Sequence, residues 1–110
     1  MNFPKRGEIY WVNLDPTVGS EINKKRPAII ISNDAGNEFS RRVIIAPITS
    51  KASKIFPFDV AIQVGSKKGK ILLDQVRSID KIRLGKKIES CDSEILDQIN
   101  EVLKIVFSLR

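Results

Sequence analysis

The sequence contains no histidine and a single cysteine, Cys91. Without histidine, the chain cannot form a histidine acid/base pair, a Ser-His-Asp triad or a histidine-ligated metal site. One cysteine excludes an internal disulfide and a zinc site built from cysteines. Any catalysis must therefore use carboxylates, hydroxyl groups, Tyr10, lysine, arginine or backbone groups.

The chain also lacks an apolar run long enough to span a membrane, because "AIII" and "VIIAPI" have the length of strands. The N-terminal stretch "MNFPKRGEIYW" has no apolar centre of the kind found in secretory signals, so a cytoplasmic location away from membranes is expected. No repeat or low-complexity tract interrupts the 110 residues, of which 42% are hydrophobic. These properties predict one domain over residues 1–110 with an ordinary core.

Charge is the first indication of a partner. Lysine and arginine outnumber the acidic residues, and the formal net charge is +6. A basic surface favours nucleic acid or acidic protein partners. Many small proteins are basic for solubility alone, so the charge favours nucleic acid without deciding the matter.

Short apolar segments predict strands over residues 7–14, 27–32, 42–50, 58–64 and 71–79, with a last short strand at Ile88. The third strand is expected to weaken or bulge at Pro47. The continuous apolar character of "AIII" predicts that the second strand is buried on both faces. "NDAGNEFSR" and "GSKKGK" are interpreted as a polar connection and a hairpin-like turn, and "DKIRLGKKI" as a short helical turn closed by Gly85.

The C-terminal segment has a different period. Apolar residues recur at helical spacing after Asp92, a good N-cap; they are Ile95, Leu96, Ile99, Val102, Leu103 and Val106. The predicted fold is mainly β with α: a small SH3-like barrel of short antiparallel strands with a C-terminal amphipathic helix.

The first candidate site is the loop "GSEINKKRP", which carries Ser20, Glu21, Lys24, Lys25 and Arg26. A charged loop is usually only solvated. Arg26, however, lies at the start of a buried strand, which anchors its side chain. Ser20 and Glu21 are expected to be near enough to orient the guanidinium through hydrogen bonds.

Three further places could contribute chemistry. Thr49 closes a hydrophobic strand, although a β-branched strand terminus is the more ordinary interpretation. Gln75 and Arg77 are expected to share one strand face, where they could read a base and grip a phosphate, or simply form a charged outer face. Phe56, beside lysines, could stack on a base, while alternation directs Phe58 inward.

In combination these motifs resemble the MazF/PemK toxins of bacterial toxin–antitoxin systems. The ordered elements are G-S-E, R-P before an apolar strand, P-I-T, and "DQVRSID", and the resemblance covers nearly the whole chain. It implies an SH3-like barrel that forms a homodimer, and a sequence-specific endoribonuclease that needs no metal or other cofactor. It also implies single-stranded RNA as substrate and a cognate antitoxin whose acidic, disordered tail occupies the RNA groove.

The resemblance places catalysis on an arginine and a threonine, which correspond to Arg26 and Thr49. Cleavage by the 2′-OH would leave a 2′,3′-cyclic phosphate and a 5′-OH. A guanidinium is a poor base, so Arg26 fits a role as electrostatic stabiliser or proton donor and the general base is left unassigned. The lysines of "INKK" replace the glycine or small residues that relatives often carry there, and they are expected to attract phosphate.

Two other functions compete with RNA cleavage. A non-catalytic nucleic-acid-binding barrel would show salt-sensitive RNA binding without products. A gyrase poison of the same fold would act through its terminal helix, and would not need the R-P and P-I-T motifs.

Overall fold

The computed structural model describes residues 2–110. Its strands are β1 (Glu8–Asn13), β2 (Lys25–Ile30), β3 (Arg42–Thr49), β4 (Asp59–Val64), β5 (Lys67–Leu72), β6 (Arg77–Asp80) and β7 (Leu84–Ser90). Its helices are α1 (Asp34–Phe39) and α2 (Ser93–Val106). Short 3₁₀ turns at Leu73–Gln75 and Lys81–Arg83 flank β6.

All strands join one antiparallel sheet in the order β4-β5-β3-β2-β1-β7, with β6 also paired to β3. β3 is central because it pairs with β2 along one edge, and with β6 and then β5 along the other. This curled antiparallel sheet with one terminal helix confirms the predicted mainly-β fold.

Strand β2 is buried on both faces of the sheet. Ile29 packs into the core cluster that also contains Ile99 of α2. Its neighbours Ala28 and Ile30 pack into a second cluster on the opposite face, with Val43. Side chains alternate along a strand, so a strand buried on both sides must be apolar at every position. The interpretation of "AIII" is confirmed.

The terminal helix begins as the sequence predicts. The Asp92 side chain accepts a hydrogen bond from the backbone N–H of Ile95 at 2.9 Å, which caps the first turn. Ile99 is fully buried and lies at the centre of the apolar face. α2 packs mainly against β4 and the 3₁₀ turn Leu73–Gln75.

Three local predictions were wrong, two in the first half of the chain and one at β7. The polar connection contains helix α1, because the Asn33 side chain caps it by accepting from the N–H of Gly36 at 2.7 Å. β3 continues through Pro47 instead of bulging there, and Ala28 lies opposite this proline. Gly85 lies inside β7 and does not close the helical turn before it.

The predicted strand over residues 71–79 is also wrong in part. It divides into the end of β5, the 3₁₀ turn Leu73–Gln75 and β6. Gln75 and Arg77 therefore do not lie on one face of one strand. The hairpin turn is shorter than predicted: Val64 pairs with Lys67, so Lys67 and Lys68 belong to β5.

No helix among residues 2–110 is long and apolar enough to cross a membrane. In the same part of the chain, no group of three or more Cys, Asp or Glu side chains is arranged to hold a metal ion.

Candidate active site

A cavity of about 440 Å³ contains both predicted catalytic residues, Arg26 and Thr49. We call it the Arg26 cavity. β2 and β3 pair with Ala28 opposite Pro47. Arg26 lies two residues before Ala28 and Thr49 two residues after Pro47, so antiparallel pairing leaves both at the same end of the strand pair. The two residues are far apart in sequence, and strand pairing brings them to one wall.

The Arg26 guanidinium is fixed by a hydrogen bond at Nε, whereas its terminal NH₂ groups remain available to a ligand. Arg26 is half-buried at the second position of β2, where it pairs with Val12 of β1. Its Nε donates a hydrogen bond to the backbone oxygen of Asn23 at 2.6 Å. Within residues 2–110 its two terminal NH₂ groups have no protein acceptor, which leaves a forked donor for an anion.

The expected orientation of Arg26 by Ser20 and Glu21 was wrong. The Glu21 carboxylate instead accepts a hydrogen bond from the N–H of Val18 at 2.6 Å, within its own loop. Neither Ser20 nor Glu21 lines the Arg26 cavity. The backbone of Asn23 orients the guanidinium in their place.

Thr49 is the last residue of β3 and exposes only 7% of its surface. Its Oγ1 accepts a hydrogen bond from the N–H of Lys51 at 3.2 Å, so the hydroxyl proton remains available to donate. Gly69 of β5 packs directly against the Thr49 backbone: a Cβ placed on this glycine would lie 2.6 Å from the Thr49 oxygen. No side chain fits there.

Ser20, Glu21, Gln75 and Arg77 line a second cavity, of about 330 Å³. The Gln75 Oε1 accepts from the N–H of Ile22 at 2.8 Å, and the Arg77 Nη1 donates to the backbone oxygen of Leu14 at 3.0 Å. The two side chains thus attach the 3₁₀ turn and β6 to the loop after β1. Part of their hydrogen-bonding capacity holds the fold.

Phe56 lines neither of these cavities. Its ring stacks on Phe58 with centroids 5.3 Å apart and planes at 3°. It still exposes 37% of its surface, whereas Phe58 is half-buried in the turn before β4, outside the strand whose alternation was expected to direct it inward.

The family follows from comparison with known proteins. A model of PemK-like, MazF-like toxins of type II toxin–antitoxin systems matches residues 5–107. The chain belongs to this PemK/MazF toxin family. The resemblance predicted from the motifs is confirmed.

Named relatives of the toxin match nearly the whole chain. Endoribonuclease EndoA of Bacillus subtilis strain 168 is 42% identical over 110 residues, which cover 96% of this toxin and 95% of EndoA. MazF from Deinococcus radiodurans superposes with a TM-score of 0.87 at 27% identity, covering 99% of this toxin and 100% of that chain. A mycobacterial endoribonuclease in complex with its cognate antitoxin has the same fold, with a TM-score of 0.82 at 23% identity over 97% of each chain.

The sequence interpretation missed part of the Arg26 cavity of this toxin. Lys67 and Lys68, interpreted as part of a hairpin-like turn, line it together with Lys24 and Lys25. Trp11 also lines it and is 47% exposed. The only local signal was the cluster of lysines in "GSKKGK". Its position beside Thr49 depends on the pairing of β3 with β5, in which Thr49 lies opposite Lys70.

Tyr10, the only tyrosine, takes no part in this cavity of the toxin. Its hydroxyl donates to Glu8 Oε1 at 2.9 Å. Burial, together with the hydrogen bond to Glu8 and the charge of that carboxylate, raises the pKa of Tyr10 to about 12. Its phenol is neutral near pH 7 and is not a general base there.

Lys24 has a φ of +70°, in the left-handed region that favours glycine. A side chain there costs about 1–2 kcal/mol. We therefore expect Lys24→Gly to raise the free energy of unfolding by about 1 kcal/mol, measured by urea denaturation. Lys24→Ala is the matched control, because it removes the charge and keeps the strain. Equal stability of the two variants would contradict the strain at this position.

Proposed function

We propose that this toxin is an endoribonuclease that cleaves single-stranded RNA, mRNA above all, at preferred sequences and so inhibits translation and growth. The observation that carries the proposal is that Arg26 and Thr49 share one cavity. Its rim is cationic and suited to a polyanion; the cations are Lys24, Lys25, Lys67 and Lys68. The relative EndoA, named as an endoribonuclease, supports the same activity.

The proposed reaction is attack by a ribose 2′-oxygen on the adjacent phosphorus. The 2′-O–P bond forms and the bond from phosphorus to the 5′-oxygen breaks. The 2′-OH proton passes to water, and the leaving 5′-oxygen takes up a proton from water. The products are a 2′,3′-cyclic phosphate and a 5′-OH end, and the step uses no metal.

Arg26 stabilises the negative charge that develops on the phosphate oxygens. Its free NH₂ groups form a planar fork that matches two phosphate oxygens. A guanidinium holds its proton too tightly to accept another group's proton, so Arg26 is not the base. The Thr49 hydroxyl donates a hydrogen bond to the phosphate and holds it in line for attack.

The remaining predicted residues bind RNA on either side of the scissile bond. Ser20, Glu21, Gln75 and Arg77 bind a flanking nucleotide in the second cavity. Phe56 contacts a base with the 37% of its surface that is exposed. Separate cavities for separate nucleotides are one physical basis for sequence preference.

The family match to toxins of type II toxin–antitoxin systems supports an antitoxin as partner. We propose a homodimer that acts in the cytoplasm and is inhibited by a cognate antitoxin. The acidic, disordered tail of the antitoxin would occupy the lysine-rich Arg26 cavity in competition with RNA. The mycobacterial endoribonuclease bound to its cognate antitoxin has the same fold and supports this partner.

Mapping the cleavage ends on a long RNA of mixed sequence, in EDTA, tests the proposal. We expect 2′,3′-cyclic phosphate and 5′-OH ends at one recurring short sequence. Salt-sensitive binding without products would instead indicate a non-catalytic RNA-binding barrel. Inhibition of DNA gyrase without RNA products would indicate a gyrase poison.

A further inference from the structure

A buried ion pair lies beside the Arg26 cavity and has no part in the chemistry proposed above. Lys70 of β5 and Asp59 of β4 meet with Nζ and Oδ2 2.9 Å apart, and their side chains are 10% and 0% exposed. The second carboxylate oxygen, Asp59 Oδ1, is buried and has no hydrogen-bond partner within residues 2–110. Charges buried in this way are costly, and apolar residues of similar volume are often as stable. The pair therefore needs an explanation other than stability.

Both members of the pair bind the backbone of the loop over residues 50–58, which connects Thr49 to β4. Lys70 Nζ donates a hydrogen bond to the backbone oxygen of Lys54 at 2.9 Å. Asp59 Oδ2 accepts one from the N–H of Phe56, also at 2.9 Å. The loop is thus attached at two points to buried charges.

The same pair is connected to Thr49. Lys70 lies directly opposite Thr49 in the pairing of β3 with β5. Gly69, the residue before it, packs against the Thr49 backbone. The Thr49 hydroxyl in turn accepts from the N–H of Lys51, inside the loop that the pair holds.

The pair also fixes the position of the Phe56 ring. Lys70 Nζ lies 4.9 Å from the centroid of this ring and Lys54 Nζ lies 5.0 Å from it, both within cation–π range. Phe58 stacks on the ring. An aromatic side chain with this many fixed neighbours presents its exposed part in one orientation.

We infer that Lys70 and Asp59 are positioning residues: their ion pair fixes loop 50–58 so that Thr49 faces the phosphate and Phe56 faces one base of the RNA. The pair then influences both the cleavage rate and the choice of base at the Phe56 position. This inference rests on the proposed ribonuclease function.

The decisive variant is the double substitution Lys70→Met with Asp59→Leu, which removes both charges and keeps apolar volume. It leaves no buried charge unpaired, so we expect a folded protein, although the backbone groups of Lys54 and Phe56 lose their partners. We expect kcat on a short single-stranded RNA to fall about 30-fold, since a small misplacement of a reacting group has effects up to about 10². We also expect more cleavage sequences on a long RNA.

Lys70→Arg is the conservative variant, because a guanidinium can also donate both hydrogen bonds. Its kcat should stay within about threefold of that of the unaltered toxin. Lys87→Met is the matched control. It breaks the ion pair between Lys87 and Glu8, whose atoms are 2.8 Å apart, and should leave rate and cleavage sequences unchanged. A double variant with unaltered kcat and unaltered cleavage sequences would overturn the inference, whatever its stability.

Hydrogen exchange of residues 50–58, measured by mass spectrometry, is a readout independent of activity. In the double variant the N–H of Phe56 loses its acceptor, so exchange in this loop should accelerate at least about tenfold. Unchanged exchange would also overturn the inference. If the unaltered toxin cleaves no RNA, the proposed function fails, and the exchange result still decides whether the pair holds the loop.

Discussion

Replacing Arg26 with alanine is expected to reduce RNA cleavage about 10³-fold or more, because no other side chain of residues 2–110 that lines the Arg26 cavity offers a forked donor. Arg26→Lys keeps the charge but loses the fork, and a loss of about 10² is expected. Single-turnover cleavage of a labelled RNA in EDTA measures both effects. RNA affinity should fall less than the rate, since Lys24, Lys25, Lys67 and Lys68 remain.

Arg42→Ala is the matched control for Arg26. Arg42 is an exposed arginine of the same sheet, whose Nε donates to Ser78 Oγ at 3.2 Å outside the Arg26 cavity. Its removal lowers the net charge equally and should leave kcat unchanged. Circular dichroism should show both variants folded. Cleavage by Arg26→Ala within tenfold of the unaltered toxin would remove Arg26 from the mechanism.

Gly69→Ala is expected to have the second largest effect, on stability and activity together. Alanine is normally better than glycine in a strand, so propensity alone predicts stabilisation. The added Cβ would lie 2.6 Å from the Thr49 oxygen, however, and backbone atoms must move apart. Overpacking of this kind costs about 1–3 kcal/mol, and we expect the upper end. The displaced Thr49 should lower kcat by about 10².

Alanine substitutions at two other glycines give a scale for the loss of stability expected of Gly69→Ala. At Gly85 a Cβ would lie 3.1 Å from the Trp11 oxygen, a milder contact, and the loss of stability should be smaller. At Gly36 the nearest atom is Asn33 Oδ1 at 3.3 Å, on a side chain, so stability should change by less than about 1 kcal/mol. Urea unfolding of the three variants should rank them in this order. A Gly69→Ala variant as stable and active as the unaltered toxin would contradict the packing at Thr49.

Local patterns in the sequence were sufficient for several features. The apolar run after Pro27 marked a strand buried on both faces, with Arg26 at its start. The helical spacing after Asp92 marked α2 and its cap. Both patterns reflect the spacing of the side chains that face the core. This spacing depends only on the period of the helix or strand itself.

Such patterns could not predict other local features. The 3₁₀ turn Leu73–Gln75 interrupts an apolar run that reads as one strand, because the chain there moves from pairing with β4 and β3 to forming β6. α1 is a short helix that depends on its cap at Asn33 and has no apolar period. Elements this short are decided by what packs around them.

By itself the sequence determined the mainly-β fold, the family motifs, and the candidates Arg26 and Thr49 as separate residues. Only the tertiary structure decided that these two share a cavity, that Gln75 and Arg77 lie in another, and that Lys67 and Lys68 belong with the first. It alone revealed the buried pair of Lys70 with Asp59. The physical reason is that strand register joins residues distant in sequence, and register is set by hydrogen bonding and packing between strands. No periodicity within one strand encodes it.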